Sequence, residues 1–235
     1  MADGSATLDA MNPKITLYTL GFSQNAVRPE IALLEKGLVF DKVPVDLFSG
    51  EHQTEAYGAI TPRRQVPTLV YGDGDDAITI YESVAITQFL DDMHPEPPLM
   101  PPVSQPRARA SALMRIAEFQ QKLDPKNIFG SVTFGKQDRE QLGERVDTLL
   151  EELPRWDAYV GAGPFLCGDR FTLADIAVFP LLLHFEVLGY AYAKHTPALA
   201  AYLDHCKARP SVVETGWVQR FLDFARERQP GQVLA

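Results

Sequence analysis

Apolar and polar positions along this chain follow strand spacing in its first third and helical spacing in the rest. Residues 14–20 and 40–47 have strand character, while Val27, Ile31, Leu34 and Leu38 between them recur at the spacing of one helix face. This pattern predicts a β-α-β unit, with the crossover right-handed as such connections are. Residues 68–71 and 77–81 flank Gly72-Asp73-Gly74-Asp75-Asp76, a turn-rich stretch that predicts a hairpin. A helix-like run over residues 84–93 follows at once.

Residues 95–106 carry six prolines, which favour a stiff, extended connector and forbid helix. Beyond them strand signals fade, and Leu142, Val146, Leu149, Leu150, Leu153 and Trp156 hold one apolar face through a long predicted helix. Pro125, Pro154 and Pro180 fall inside helical patterns, where bends or breaks are expected. Residues 173–189 are apolar nearly all round, as in a helix buried at the centre of a bundle. Phe171-Thr172-Leu173-Ala174-Asp175-Ile176 at its start has the spacing of a capping box with a hydrophobic staple, a folding signal rather than a catalytic one. The fold class expected is α/β plus all-α: an N-terminal extension over residues 1–13, a thioredoxin-like domain over 14–94, a proline-rich linker over 95–106 and a helical bundle domain over 107–235.

Composition narrows the function classes. With 235 residues and 46% hydrophobic content, the chain can bury one large core or two smaller ones. A net charge of -9 argues against nucleic acid or an anionic membrane as the main partner. No signal-peptide pattern and no apolar run of membrane-spanning length is present, so a cytoplasmic location is expected. Cys167 and Cys206 form no C-x-x-C pair and read as packing residues. His52, His94, His184, His195 and His205 show no ligand spacing, so no metal site is expected, and the Gly72-Asp73-Gly74 turn lacks the pattern of a nucleotide loop.

The chemistry concentrates in the first half. A proline opening a strand cannot donate to the ladder, so Val66-Pro67 is expected to leave the Val66 backbone groups outward, able to pair with an extended ligand as one more strand would. Ser83 opens a helix, and helix N-terminal N–H groups bind carboxylates. A backbone partner beside a carboxylate partner points to a small peptide. Ser23 follows the first strand where a helix is expected to begin near Asn25 or Ala26, because Pro29 is cheap only in a first turn. By residue chemistry alone Ser23 or Asn25 reads as an N-cap.

Gln65-Val66-Pro67 with Glu82-Ser83 before a helix resembles the glutathione site of the cytosolic glutathione transferases. The resemblance includes Gly50-Glu51-His52, Pro62 and Ser23-Gln24-Asn25-Ala26-Val27-Arg28, a spacing similar to the serine-type phi and rho classes. Phe165-Leu166, Gly168, the Phe171 to Asp175 motif and Arg209-Pro210-Ser211 are similar to that family's helical domain. The resemblance implies a transferase that stabilises the glutathione thiolate and joins it to an apolar electrophile, or reduces a peroxide with it. Glutathione is then a co-substrate, and no other cofactor is implied. It implies that Ser23 donates to the thiolate, with Tyr18 as competitor. Val66 and Gln65 with Pro67 hold the cysteinyl backbone, Glu82 meets the γ-glutamyl ammonium and Ser83 its carboxylate, and His52 and Gln53 flank the glycyl carboxylate. Gln53 stands where a lysine is usual, and Arg63-Arg64 where the second residue is usually glycine. The second substrate is expected near Phe22, Phe119, Leu123 and Phe129, and a homodimer is implied. A non-catalytic binding or assembly protein on the same fold is the alternative.

Overall fold

A computed structural model describes residues 13–123, 127–161 and 163–235. They pack as two units, one ending at Met93 and the other beginning at His94.

In the first unit, β1 (Ile15–Thr19) leads into helix α1 (Gln24–Glu35) and β2 (Asp41–Pro44). A 3-10 turn (Glu51–Gln53) and helix α2 (Glu55–Ile60) come next, then β3 (Thr68–Tyr71), β4 (Ile78–Tyr81) and helix α3 (Ser83–Met93). The four strands form one sheet in the order β2-β1-β3-β4. β1 and β2 run parallel across the α1 crossover, while β3 is antiparallel to both β1 and β4. Alternation in β1 buries Ile15, Leu17 and Thr19, and α1 brings Ala26, Val27, Ile31, Ala32 and Leu33 to the core. The Lys36–Asp91 pair, buried on both sides, joins the ends of α1 and α3. One register decides where the site lies: Thr68 stands opposite Tyr18 on one side and Tyr81 on the other. The residues just after β1, just before β3 and just after β4 therefore share one end of the sheet. Helix α2 and the 3-10 turn carry no apolar periodicity, because α2 buries only Tyr57 and no residue of the turn is buried as a whole.

The second unit is helical: α4 (Pro106–Glu118), a π-helical turn (Phe119–Leu123), α5 (Phe129–Thr133), α6 (Arg139–Leu142), α7 (Glu144–Val160) and α8 (Leu173–Val187). It closes with α9 (Tyr192–His195), α10 (Pro197–Lys207), α11 (Pro210–Thr215) and α12 (Trp217–Arg228). Every residue from Leu173 to Phe185 is buried, so α8 is the axis of the unit. No helix among the described residues is long and apolar enough to cross a membrane.

Several sequence expectations need correction. The long helix is interrupted at Gly143, whose φ of 48° suits glycine and ends α6 before α7 begins. Pro154 and Pro180 break nothing, since each lies inside a continuous helix. Burial of their neighbours, Leu153 and Trp156 in one case and the whole of α8 in the other, offsets the roughly 3 kcal/mol an internal proline costs. Pro125 lies outside the described residues. The proline-rich segment also packs within the second unit: Leu99 and Met100 are buried, the Leu99 carbonyl accepts the Leu173 N–H at 3.1 Å, and Pro106 already opens α4. Phe119, Leu123 and Phe129 are buried in this unit, with Phe129 packed on His184 and Phe221, so they are core side chains. Helix α1 starts at Gln24, which puts Pro29 beyond the first turn.

Candidate active site

The loop after β1 is short and tightly closed. The Ser23 N–H donates to the Leu20 carbonyl at 2.9 Å, and Ser23 holds extended angles as the N-cap of α1. Its Oγ accepts the Ala26 N–H at 3.3 Å. Capping uses a lone pair of the hydroxyl and leaves its proton available for a further acceptor. The cap reading and the donor reading therefore describe one side chain. Tyr18 is half-buried inside β1, its ring edge-on to Tyr57 with centroids 5.8 Å apart. Ser23 stands at the positive end of a helix dipole, and Tyr18 does not.

Before β3, the Val66-Pro67 bond is cis. The ladder begins only at Thr68, and the Val66 N–H and C=O enter no hydrogen bond among the described residues. The flanking Gln65 carbonyl is occupied by the Tyr57 hydroxyl at 2.9 Å and the Thr68 hydroxyl at 3.0 Å. Those two bonds brace the loop and leave the Gln65 side chain exposed. Burial raises the Tyr57 phenol above its ordinary value, which keeps it a neutral donor. Pro67 is buried beneath the loop.

After β4, Glu82 takes a φ of 69°, a region that side-chain-bearing residues rarely enter and that clusters at ligand sites. Its carbonyl accepts the Ile86 N–H at 2.9 Å and so starts α3; its side chain is exposed. Ser83 is 8% exposed and Arg28 only 2%. The Arg28 Nη1 donates to Ser83 Oγ at 3.2 Å and to Asn25 Oδ1 at 2.5 Å. A buried cation thus links the first turns of α1 and α3 and leaves the Ser83 hydroxyl proton to point elsewhere. Arg28 closes the Ser23-to-Arg28 run of the sequence but has no role assigned to it there. Its signal in the sequence is a cation set among Ala26, Val27, Ile31 and Ala32, all on the buried side of α1.

His52 and Gln53 come from the loop after β2. Asp46 shapes that loop by accepting the Phe48 and Ser49 N–H groups, which hold its carboxyl below the ordinary value. Glu51 accepts the Asp46 N–H at 2.7 Å. His52 Nδ1 is buried without a hydrogen-bond partner among the described residues. Gln53 is exposed, and its carbonyl accepts Arg64 Nη1. The sheet register thus gathers Ser23, Gln65, Val66, Pro67, Glu82 and Ser83 at one end, and the Arg64 bond ties the His52-Gln53 turn to the loop that leads into β3. Cys167 lies in the other unit, where burial pushes its thiol up to about 11, the reverse of a reactive thiol.

This geometry can take an extended ligand with an anionic end, beside a hydroxyl at a helix N-terminus. Comparison with known proteins gives the family. The family described as glutathione S-transferase, N-terminal domain, matches residues 22–93, and the corresponding C-terminal domain matches residues 103–210. Glutathione S-transferase Z2 of Arabidopsis thaliana is 39% identical over 75% of this chain and 78% of its own. A maleylacetoacetate isomerase of Emericella nidulans is 29% identical over 87% of this chain and 92% of its own. A solved glutathione transferase family member from Pseudomonas fluorescens, with two glutathione bound, is 25% identical with a TM-score of 0.73, covering 86% of this chain and 92% of that one. With both family domains matched in order, and relatives similar over most of their length, this chain belongs to the glutathione S-transferase family.

Proposed function

We propose that this protein binds glutathione at the end of its four-stranded sheet, lowers the thiol pKa through Ser23 and transfers the thiolate to an apolar electrophile. The observation that carries this reading is the Val66 backbone, its N–H and C=O outside every described hydrogen bond, between the α3 N-terminus and the Ser23 hydroxyl. Glutathione paired with Val66 as an added strand has its γ-glutamyl carboxylate met by Ser83, its ammonium by Glu82 and its cysteinyl backbone by Gln65. A free thiol titrates at about 8.5 and is mostly protonated at neutral pH. The Ser23 hydroxyl, donating to sulfur beside the dipole of α1, favours the anion and lowers that value. The sulfur lone pair then forms the S–C bond while the electrophile's leaving group or epoxide oxygen takes the electrons. The same thiolate can instead attack a peroxide oxygen, breaking the O–O bond to release an alcohol and leave a sulfenic acid, which a second glutathione converts to the disulfide and water. A homodimer and a cytoplasmic location complete the proposal.

A second reading has a specific basis in the isomerase among the relatives. The same thiolate adds to an activated double bond, rotation follows, and elimination returns glutathione unchanged. Thiol consumption separates the two, since conjugation depletes glutathione and isomerisation does not.

The test is the thiolate ultraviolet absorbance of bound glutathione as a function of pH, in the parent protein and in Ser23→Ala. A bound pKa well below the free value, rising in Ser23→Ala, is the expected result. A low pKa that survives the substitution moves the role to Tyr18 or to backbone N–H groups, and absence of binding overturns the proposal.

A further inference from the structure

The second unit carries a cavity of about 360 Å³ where the end of α8 meets α9 and α10. That volume lies within the range of about 300–1,000 Å³ that small-molecule sites occupy. The wall is mostly apolar and includes Ala200, Leu203, Tyr190 and Tyr192. The two tyrosines are buried and fixed in place. Their rings stand edge to face with centroids 4.7 Å apart. The Tyr192 hydroxyl donates to the Leu182 carbonyl at 2.9 Å, and the Tyr190 hydroxyl accepts that of Thr196 at 3.4 Å. The Thr196 N–H donates to the Tyr192 carbonyl at 2.8 Å, which pins the corner between α9 and α10. A wall held this firmly loses little entropy when a ligand packs on it.

Four charged side chains line the same cavity: Glu186, Lys194, Asp204 and Lys207. Glu186 and Lys207 neutralise each other at 2.7 Å. Lys194 and Asp204 are exposed, and among the described residues neither side chain has an ion pair or a hydrogen bond. The cavity thus presents one unpaired cation, one unpaired anion and an apolar wall. A ligand of single charge answers only one of the two ions, and a polyanion meets walls whose charges sum to zero. A zwitterion with an apolar body answers all three features. We propose that this cavity is a second binding site, for an α-amino acid with an apolar side chain. Its carboxylate pairs with Lys194, its ammonium with Asp204, and its side chain packs on Leu203 and Tyr192. None of these residues belongs to the sheet-end site, so the inference stands apart from the glutathione reading.

The probe is L-phenylalanine, titrated into the full chain by NMR beside 3-phenylpropionate, which lacks the ammonium, and phenethylamine, which lacks the carboxylate. A Kd of about 1 mM is expected for phenylalanine, the strength a ligand of its size reaches at ordinary efficiency per atom. Each single-charge analogue is expected to bind about fivefold more weakly, as a solvent-exposed ion pair supports. Lys194→Gln weakens phenylalanine about fivefold and leaves phenethylamine unchanged, while Asp204→Asn weakens phenylalanine equally and leaves 3-phenylpropionate unchanged. Both positions are exposed, so these variants are expected to keep the parent melting temperature. Ala200→Phe, which fills the cavity, removes binding of all three probes. Excess glutathione is expected not to displace phenylalanine. No saturable binding up to about ten times the expected Kd, displacement by glutathione, or equal affinity for the three probes overturns the inference. Phenylalanine affinity unchanged in both charge variants overturns it too.

Discussion

Ser23 accepts the Ala26 N–H while its own proton stays available, so Ser23→Ala carries two separable consequences. Loss of the cap is expected to cost about 1 kcal/mol of stability, and loss of the proposed donor to sulfur is expected to lower turnover by about a hundredfold. Denaturant melts read the first and conjugation rates the second. Tyr18→Phe is expected to move neither, and lost activity in Tyr18→Phe with none lost in Ser23→Ala would reverse the assignment. Glu82 makes a complementary case because its φ of 69° is the cost of its position. Glu82→Gly is expected to leave stability unchanged or raise it by up to about 1 kcal/mol, while glutathione affinity falls. Calorimetry and thermal melts together check it, and lost stability with intact binding contradicts it. These side chains were legible from motif spacing, and so was the presence of Arg28, but not its role. Its two hydrogen bonds reach Asn25 on its own helix and Ser83 on another, and no local pattern encodes the second.

The start of α8 shows what an element-scale signal contains and omits. The capping box is formed: Thr172 Oγ1 accepts the Ala174 N–H at 3.2 Å and Asp175 Oδ2 accepts the Thr172 N–H at 2.8 Å. Asp175 also accepts the Leu166 N–H at 2.9 Å, fastening the preceding loop to the helix. That third bond is invisible in a four-residue motif. Thr172→Ala is expected to cost about 1 kcal/mol, and glutathione affinity is expected to stay intact. Asp175→Ala strands two buried N–H donors and is expected to cost about 2–4 kcal/mol. Complete burial pushes the Asp175 carboxyl up from 3.8 to about 6, against the opposing pull of its hydrogen bonds. The folded state therefore holds this proton across a window where the unfolded chain has released it. Stability from this group is full below about pH 4 and is lost as pH rises through about 6, by at most about 3 kcal/mol at about 1.4 kcal/mol per unit. Denaturant melts from pH 4 to pH 7 check the slope, which Asp175→Asn is expected to remove.

At the scale of the whole molecule, the first prediction concerns mass. A homodimer gives twice the 26.1 kDa of the chain by light scattering, and a monomeric mass contradicts that part of the proposal. Exposed apolar side chains such as Phe48 and Ile78 in the first unit and Leu113 and Met114 in the second offer surface that a second copy can cover.

What the chain determined by itself is whatever depends on nearest neighbours and spacing: β1, β3, β4, α3 and the buried α8, the caps at Ser23 and Thr172, and the change from strand to helical rhythm. These are short-range preferences, and Thr68–Tyr71 coincides with its predicted strand. Tertiary structure decided the outcomes that depend on competition between distant groups. Burial of their surroundings carried α7 and α8 through Pro154 and Pro180, and Leu99 and Met100 drew the proline-rich segment into a core. The sheet register brought Ser23, Val66 and Ser83 to one end, and two arginines reached from their own elements to others, Arg28 to α3 and Arg64 to the turn at Gln53. A long side chain's partner is set by where the backbone returns in space, and residue spacing carries no record of that.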